Sequence, residues 1–202
     1  GMRLLPQGEQ TEILAAIRQI FKSWPFVLTS DDFVRVISGV DEGVFGWMTT
    51  NYLVGTFAKN DPMATFGALD LGGASTQLTF VPSTPVPPSL GGTSVTVGGI
   101  LYPLYSVSYL GYGVDQASLL KNQLLAREFC NDPSRPCKSL VDYCTPNSWI
   151  TFTNTPYGAR VRVDGGSNYT LCDRNETAPL FNASKCVSCP IGDHPTPGSP
   201  SP

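Results

Sequence analysis

Asp70, Ser75 and Gln77 surround a Gly72-Gly73 pair in the run Leu69-Asp70-Leu71-Gly72-Gly73-Ala74-Ser75-Thr76-Gln77-Leu78-Thr79-Phe80. Those residue types at that spacing suit the handling of a metal-chelated phosphate. A glycine turn lets backbone N–H groups approach an anion closely. A carboxylate beside it can hold a hard divalent cation directly or through water, while a hydroxyl and an amide orient a second water. Two short β-prone runs split by Gly-Gly predict a hairpin whose two-residue loop is Gly72-Gly73, because both loop positions need φ > 0. That register sets Leu71 opposite Ala74, Asp70 opposite Ser75, Leu69 opposite Thr76 and Ala68 opposite Gln77. Alternation then gathers Asp70, Ser75, Gln77 and Thr79 on one face, and Leu69, Leu71, Thr76, Leu78 and Phe80 on the other as core positions. An ordinary hairpin with a polar solvent face is the plainer reading of this pattern. A second feature favours the site.

That feature is Ile37-Ser38-Gly39-Val40-Asp41-Glu42-Gly43-Val44-Phe45-Gly46-Trp47. The β-branched run 34–37 predicts a strand, the glycine-flanked acidic pair a turn, and the apolar segment beyond it a helix. Glu42 is then expected between strand and helix, at a cleft rim from which a general base can reach a water. A carboxylate at a helix N-terminus is stabilised as the anion by about 0.3–1 kcal/mol. The plainer alternative is that Asp41 and Glu42 only cap the helix.

Other elements must position these groups. Ile13, Ala16, Ile17, Ile20, Phe21 and Trp24 recur at helical spacing over residues 9–24, ending before Pro25, and predict an amphipathic packing helix. Trp47, Met48, Tyr52, Leu53, Val54 and Phe57 are expected in the core. The Pro-, Gly-, Ser- and Thr-rich stretch 81–100 reads as an irregular connection or hairpin. Tyr102, Tyr105, Tyr109 and Tyr112 come next on a strand, as packing residues with bonded hydroxyls. Asp115 is expected to cap a helix over 116–129 that packs through Ala117, Leu120, Leu124 and Phe129. No internal repeat is present.

Three segments in order resemble successive apyrase conserved regions of the nucleoside triphosphate diphosphohydrolases. They are Gly1-Met2-Arg3-Leu4-Leu5, the run from Gly39 through Trp47 to Met48-Thr49-Thr50-Asn51-Tyr52-Leu53, and Ala68 through Gln77. The segment Tyr105-Ser106-Val107-Ser108-Tyr109-Leu110-Gly111-Tyr112-Gly113-Val114-Asp115-Gln116-Ala117 resembles the family's strand and helix after the fourth region, so the likeness runs from Gly1 to about Glu128.

The resemblance implies an α/β fold of the actin-like, sugar-kinase-like (ribonuclease H-like) kind, with a mixed sheet and nucleotide in a cleft between two lobes. Residues 1–38 would end the first lobe. Residues 39–130 would form the core of the second, 131–191 a Cys-rich, sequon-bearing extension, and 192–202 a disordered tail. Only one of the family's two phosphate hairpins is recognisable, so the sequence reads as an internal fragment, inactive alone. The implied reaction is hydrolysis of the terminal phosphate of nucleoside tri- and diphosphates. Glu42 would be the base, Ser75 and Gln77 would position the water, and Gly72, Gly73 and Ala74 would bind phosphate. Asp70 would hold Ca²⁺ or Mg²⁺ through water. Alternatives are a lumenal nucleoside diphosphatase, a phosphatase of the related polyphosphate-hydrolysing group, or a non-catalytic extracellular binding module derived from an apyrase.

Composition narrows the setting. The 202 residues are 41% hydrophobic, enough for a sizeable core, and the net charge of −3 leaves no electrostatic footprint for nucleic acid. Sequons at Asn168, Asn175 and Asn182 cluster near Cys172, Cys186 and Cys189, which points to a glycosylated, disulfide-bearing region of an extracellular or secretory-lumen protein. Cys130, Cys137 and Cys144 complete the disulfide candidates, with the pairing open. Cys186-Val187-Ser188-Cys189 has zinc-ligand spacing, but no second pair matches it, and the one histidine, His194, lies among Gly, Pro and Ser residues. That scarcity also argues against a Ser-His-Asp hydrolase. No run approaches the roughly 18 apolar residues of a membrane span, so anchoring would rest on segments outside this sequence.

Overall fold

Ser38 sets the start of the helix on which the site depends. Its hydroxyl accepts from the Asp41 N–H at 3.0 Å while the Asp41 carboxylate accepts from the Ser38 N–H at 3.4 Å, a reciprocal capping box that satisfies two orphan donors of the first turn. The structure, a computed structural model, describes residues 1–135 and 137–172. Asn175, Asn182, Cys186, Cys189, His194 and the tail from 192 lie outside the described residues. Among the described residues the fold is mixed α/β with two sheets and two disulfides, and they form two compact units, the first spanning Gly1–Gly113 and the second beginning at Val114.

In the first unit, α1 (Gln7–Lys22) and α2 (Gly39–Leu53) precede β1 (Ala68–Leu71), β2 (Ser75–Phe80), β3 (Gly92–Val97) and β4 (Ile100–Leu110). The strands form an antiparallel sheet in the order β1-β2-β4-β3. The Gly-Gly hairpin rule applies at Gly98-Gly99, where Val97 pairs with Ile100 and both glycines sit in the left-handed region at φ 59° and 83°.

It does not apply at Gly72-Gly73, which is a correction to the expected register. Neither glycine has positive φ. The Gly72 N–H donates to the Ser75 carbonyl at 3.0 Å, and Leu71 pairs with Thr76, Asp70 with Gln77, Leu69 with Leu78 and Ala68 with Thr79. The loop is therefore Gly73-Ala74. The loop backbone packs closely on a later segment: a Cβ on Gly113 would lie 2.4 Å from the Gly73 carbonyl carbon, so position 113 admits only glycine. The pairing has moved by two positions, and a shift of two preserves which side chains share a face.

The burial of the two faces is the reverse of that expected. Ser75, Gln77 and Thr79 are buried, whereas Leu69 is 78% exposed and Leu71 63%. The polar face is the covered one because α2 lies on it. Farther along α2, Trp47 is fully buried and packs on Tyr102 and Phe57, with ring centroids 5.5 Å away in each case. Leu104 joins this cluster, and Val44 and Met48 pack against it. Tyr52, Leu53 and Val54, expected in the core, are exposed at the helix end. Residues 34–37 form no strand. The segment is tied instead to α1, where the Arg18 guanidinium donates to the carbonyls of Asp31 and Val34 at 3.2 and 2.7 Å. Helix α1 has the expected span to within two residues but buries none of its residues fully.

The second unit holds α3 (Val114–Phe129), β5 (Ser139–Asp142), β6 (Ile150–Asn154) and β7 (Arg160–Gly165), with strand order β5-β7-β6 and β5 parallel to β7. Its core joins Leu125, Ala126, Cys130, Leu140, Val161 and Val163. The inner face of α3 is Lys121, Asn122, Leu125 and Ala126, while Phe129 is exposed. A face expected from apolar spacing is displaced because Lys121 points inward to a buried partner, its Nζ 2.5 Å from Asp142 Oδ2. Disulfides join Cys130 to Cys137 and Cys144 to Cys172. Asn168 is exposed and caps a one-turn helix, α4 (Tyr169–Leu171), its Oδ1 accepting from the Leu171 N–H at 3.1 Å. Among the described residues no helix is long and apolar enough to cross a membrane.

Candidate functional site

Gly39 and Gly43 are spaced i, i+4 and so occupy one face of α2. A Cβ at position 39 would lie 2.3 Å from Arg3 Nη1 and from Ser108 Cβ, and one at position 43 would lie 2.5 Å from Thr79 Oγ1 and 2.8 Å from Ser106 Oγ. Only glycine permits that approach. It seats the first turn of α2 directly on the hydroxyl- and amide-bearing face of the sheet and brings Glu42 into contact with β2.

Asp41 performs the capping, and Glu42 takes no part in it. Glu42 lies in the first helical turn rather than between strand and helix as expected. Its Oε2 accepts from Gln77 Nε2 at 2.9 Å and from Arg3 Nη2 in a close ion pair. Around that oxygen the donors and hydroxyls form a closed cluster. Gln77 Nε2 also faces Ser75 Oγ at 2.8 Å and Ser108 Oγ at 2.9 Å, and Arg3 donates to the same two hydroxyls at 3.0 and 3.1 Å. An amide nitrogen has two protons for these three acceptors, so Arg3 supplies the balance. The serine protons remain available to a further acceptor. Gln77 is 1% exposed and Ser75 6%. Buried polar groups of this kind are costly unless bonded, and here the cluster bonds them to one another.

The structure thus brings Glu42, Ser75 and Gln77 together and sets Asp70 directly across β1 and β2 from Gln77, on the same face. Asp70 is exposed, and its side chain makes no hydrogen bond or ion pair among the described residues. The Gly72 N–H is consumed by the hairpin, which corrects its assignment as a phosphate donor, whereas those of Gly73 and Ala74 make no backbone bond. A cleft of about 230 Å³ opens beside the cluster, lined by Arg3, Arg35, Glu42, Ala74 and Ser75 among others. Arg35 is exposed and has no partner among the described residues. No group of three or more His, Cys, Asp or Glu side chains able to hold a metal occurs among them either. A cation bound here would be held by Asp70, water and its own substrate, as hard cations chelated by phosphates commonly are.

Sequence reasoning missed two members of the cluster. Arg3 and Ser108 lie 39 and 66 positions from Glu42 in the chain, and nothing local to either signals the contact. The Gly39/Gly43 spacing was a usable signal. Read as a helix stripe rather than as the flanks of a turn, it implies close packing against another backbone.

A hairpin and a helix N-terminus are thus joined through a polar face within a mixed α/β fold. The chain belongs to the GDA1/CD39 (nucleoside phosphatase) family, whose profile matches residues 1–195. It is 40% identical to Probable apyrase 6 of Arabidopsis thaliana, over 98% of this chain and 38% of that protein. It is 34% identical to Ectonucleoside triphosphate diphosphohydrolase 1 of Bos taurus, over 92% and 40%. With the Guanosine-diphosphatase of Saccharomyces cerevisiae it shares 36% identity, over 65% and 27%. The chain therefore spans two fifths or less of the length of these relatives. Among solved structures, a nucleoside triphosphate hydrolase from Neospora caninum matches with a TM-score of 0.41 and 23% identity, over 82% of this chain and 33% of that one.

Proposed function

We propose that this chain carries the base-bearing half of a site that hydrolyses the terminal phosphate of nucleoside tri- and diphosphates. One observation carries the reading: the Glu42 carboxylate is bonded through one oxygen to Gln77, on the sheet face that Asp70 and Ser75 share. Its side chain is 38% exposed, so water reaches it. In the reaction the water oxygen attacks the terminal phosphorus and its proton passes to Glu42. The bond from that phosphorus to the bridging oxygen breaks, and the shortened nucleotide leaves with the electron pair. Ser75 holds the water in line through its available hydroxyl proton, and Gln77 acts with it by fixing Glu42 and Ser75, which removes much of the entropic barrier. The free N–H groups of Gly73 and Ala74 face phosphate oxygens, and Arg35 supplies an unneutralised cation at the cleft wall.

Asp70 would hold a Ca²⁺ or Mg²⁺ through water, and that ion would neutralise phosphate charge. Its exposed carboxylate, without a partner among the described residues, fits this role. Turnover would need an opposing phosphate hairpin in addition to these 202 residues, which match two fifths or less of the length of the relatives. The relatives include ecto-enzymes and a guanosine-diphosphatase by name, and sequons with disulfides fit an extracellular or lumenal site. Asn168, Asn175 and Asn182 would carry glycans there.

The test is Glu42→Gln in the complete polypeptide. We expect phosphate release to fall by about 10²–10⁴-fold with metal–nucleotide binding retained. Near-normal release from this variant would refute the assignment. Profiling ATP, ADP, GDP and UDP against the unaltered protein separates a triphosphate hydrolase from a lumenal diphosphatase. Absence of turnover on all four would favour a binding module.

A further inference from the structure

The Glu42 carboxylate is bonded asymmetrically. Both of its protein partners, Arg3 Nη2 and Gln77 Nε2, are on Oε2, and Oε1 accepts nothing among the described residues. Arg3 itself is fixed by more than this ion pair. Its Nη2 donates to Ser75 Oγ at 3.0 Å and its Nη1 to Ser108 Oγ at 3.1 Å, so the planar guanidinium is pinned along two edges. A fork held in this way orients a carboxylate in a manner that a lysine ammonium, a point charge on a flexible stem, cannot reproduce. The backbone above Arg3 fixes its height as well. Nη1 lies 2.3 Å from where a Cβ on Gly39 would stand, so the guanidinium fills the space that this glycine leaves at the start of α2.

We infer that Arg3 is a positioning residue for Glu42. It fixes the carboxylate through Oε2, leaves Oε1 as the oxygen that takes the water proton, and is itself aligned by Ser108. The inference rests on the proposed base role of Glu42 and adds two residues that no part of that role requires. It also separates the two cleft arginines. Arg3 spends its charge on Glu42, whereas Arg35, at the cleft wall, has no anionic partner among the described residues.

The experiment combines kinetics of Arg3→Lys, Arg3→Gln and Ser108→Ala in the complete polypeptide with a crystal structure of the Arg3→Gln chain. A base displaced by about 1 Å costs on the order of 10² in rate. We therefore expect kcat to fall about 10²-fold in both Arg3 variants, with KM for metal–nucleotide little changed. Ser108→Ala should fall less, since Arg3 keeps its bonds to Glu42 and Ser75. Added guanidinium should restore part of the turnover of Arg3→Gln, which a merely structural loss would not allow. The crystal structure should show Glu42 turned away from Gln77. A rise in KM at unchanged kcat would make Arg3 a phosphate contact and overturn the inference. So would full activity in Arg3→Lys, or an unmoved Glu42 in the Arg3→Gln crystal. If Arg3→Gln does not fold, Arg3→Lys and Ser108→Ala still decide between these outcomes. Retained activity in Glu42→Gln would instead refute the base assignment itself, and the Arg3→Gln crystal reports on positioning independently of turnover.

Discussion

Replacing Gly43 with alanine tests whether close approach of α2 to the sheet organises the site, and Gly46→Ala provides the matched reference. Both glycines lie inside the same 15-residue helix, so each substitution gains a similar helix-propensity term of about 1 kcal/mol. Their surroundings differ. A Cβ at position 46 meets nothing within 4 Å, whereas one at position 43 meets Thr79 Oγ1 at 2.5 Å and Ser106 Oγ at 2.8 Å. Ordinary contact begins at 3.4 Å, leaving a deficit of about 0.9 Å. The two hydroxyls cannot simply step aside. They are bonded to each other at 2.8 Å and each is 1% exposed. Either α2 lifts, an overpacking cost of about 1–3 kcal/mol, or the hydroxyl pair breaks in a buried place, at about 1–3 kcal/mol. Comparing the two variants cancels the propensity gain, so Gly43→Ala should be less stable than Gly46→Ala by about 1–3 kcal/mol. Urea unfolding of the 202-residue chain, monitored by tryptophan fluorescence from buried Trp47, measures this without any need for activity. Equal stability of the two variants would refute the packing argument, and with it the account of how Glu42 reaches Gln77.

Three further outcomes are expected. Lys121→Met withdraws the ammonium from buried Asp142, whose side chain is 1% exposed, and should cost about 3–5 kcal/mol in urea unfolding; a change under 1 kcal/mol would show that the pair is not a structural link. Asp70→Asn should raise the divalent-cation concentration for half-maximal turnover of the complete polypeptide by about tenfold or more, and an unchanged metal requirement would remove Asp70 from the metal's environment. Burial, with a smaller contribution from the hydrogen bond with Tyr109, pushes the Tyr105 phenol up from its ordinary 10.0. The phenol then ionises first in the unfolded chain, so this group's contribution to stability is full below pH 10 and is lost as the pH rises above it. Tyr105→Phe should flatten that alkaline slope in denaturation curves taken between pH 9 and 11.

The features legible in the sequence depended on local rules, and those that were not depended on contacts made at a distance. The hairpin and its polar face arise from alternation alone, which is why a register wrong by two positions still grouped Asp70, Ser75, Gln77 and Thr79 correctly. The Gly-Gly rule holds at Gly98-Gly99, where both residues have positive φ, but not at Gly72-Gly73, where the loop lies one residue later and packs against Gly113 forty residues on. The span of α2 was visible in its apolar content, but its first turn was not. Ser38 and Asp41 form the cap locally, whereas Glu42 reaches Gln77 because Gly39 and Gly43 let the helix start against the sheet, so the acidic pair divides into a capping residue and a site residue.

The inverted burial of the sheet is the point at which fold and site become the same question. Hydrophobic patterning assigns the apolar side of a strand to the core, yet Leu69 and Leu71 are exposed and Gln77 is sealed under α2. A face of serine, threonine and glutamine is a poor core unless every group finds a partner, since each unbonded one costs about 1–3 kcal/mol. Thr79 and Ser106 bond to each other, Ser106 also meets the Val40 carbonyl at 3.3 Å, and Gln77 is shared among Glu42, Ser75 and Ser108. That satisfaction requires a charged residue from the helix and a cation from the N-terminal segment to meet over the same strand. A sheet that needed only stability would place valines there. The polar packing holds a carboxylate, two hydroxyls and an amide at fixed spacing beside an open cleft, and the glycines of α2 are the condition for that arrangement.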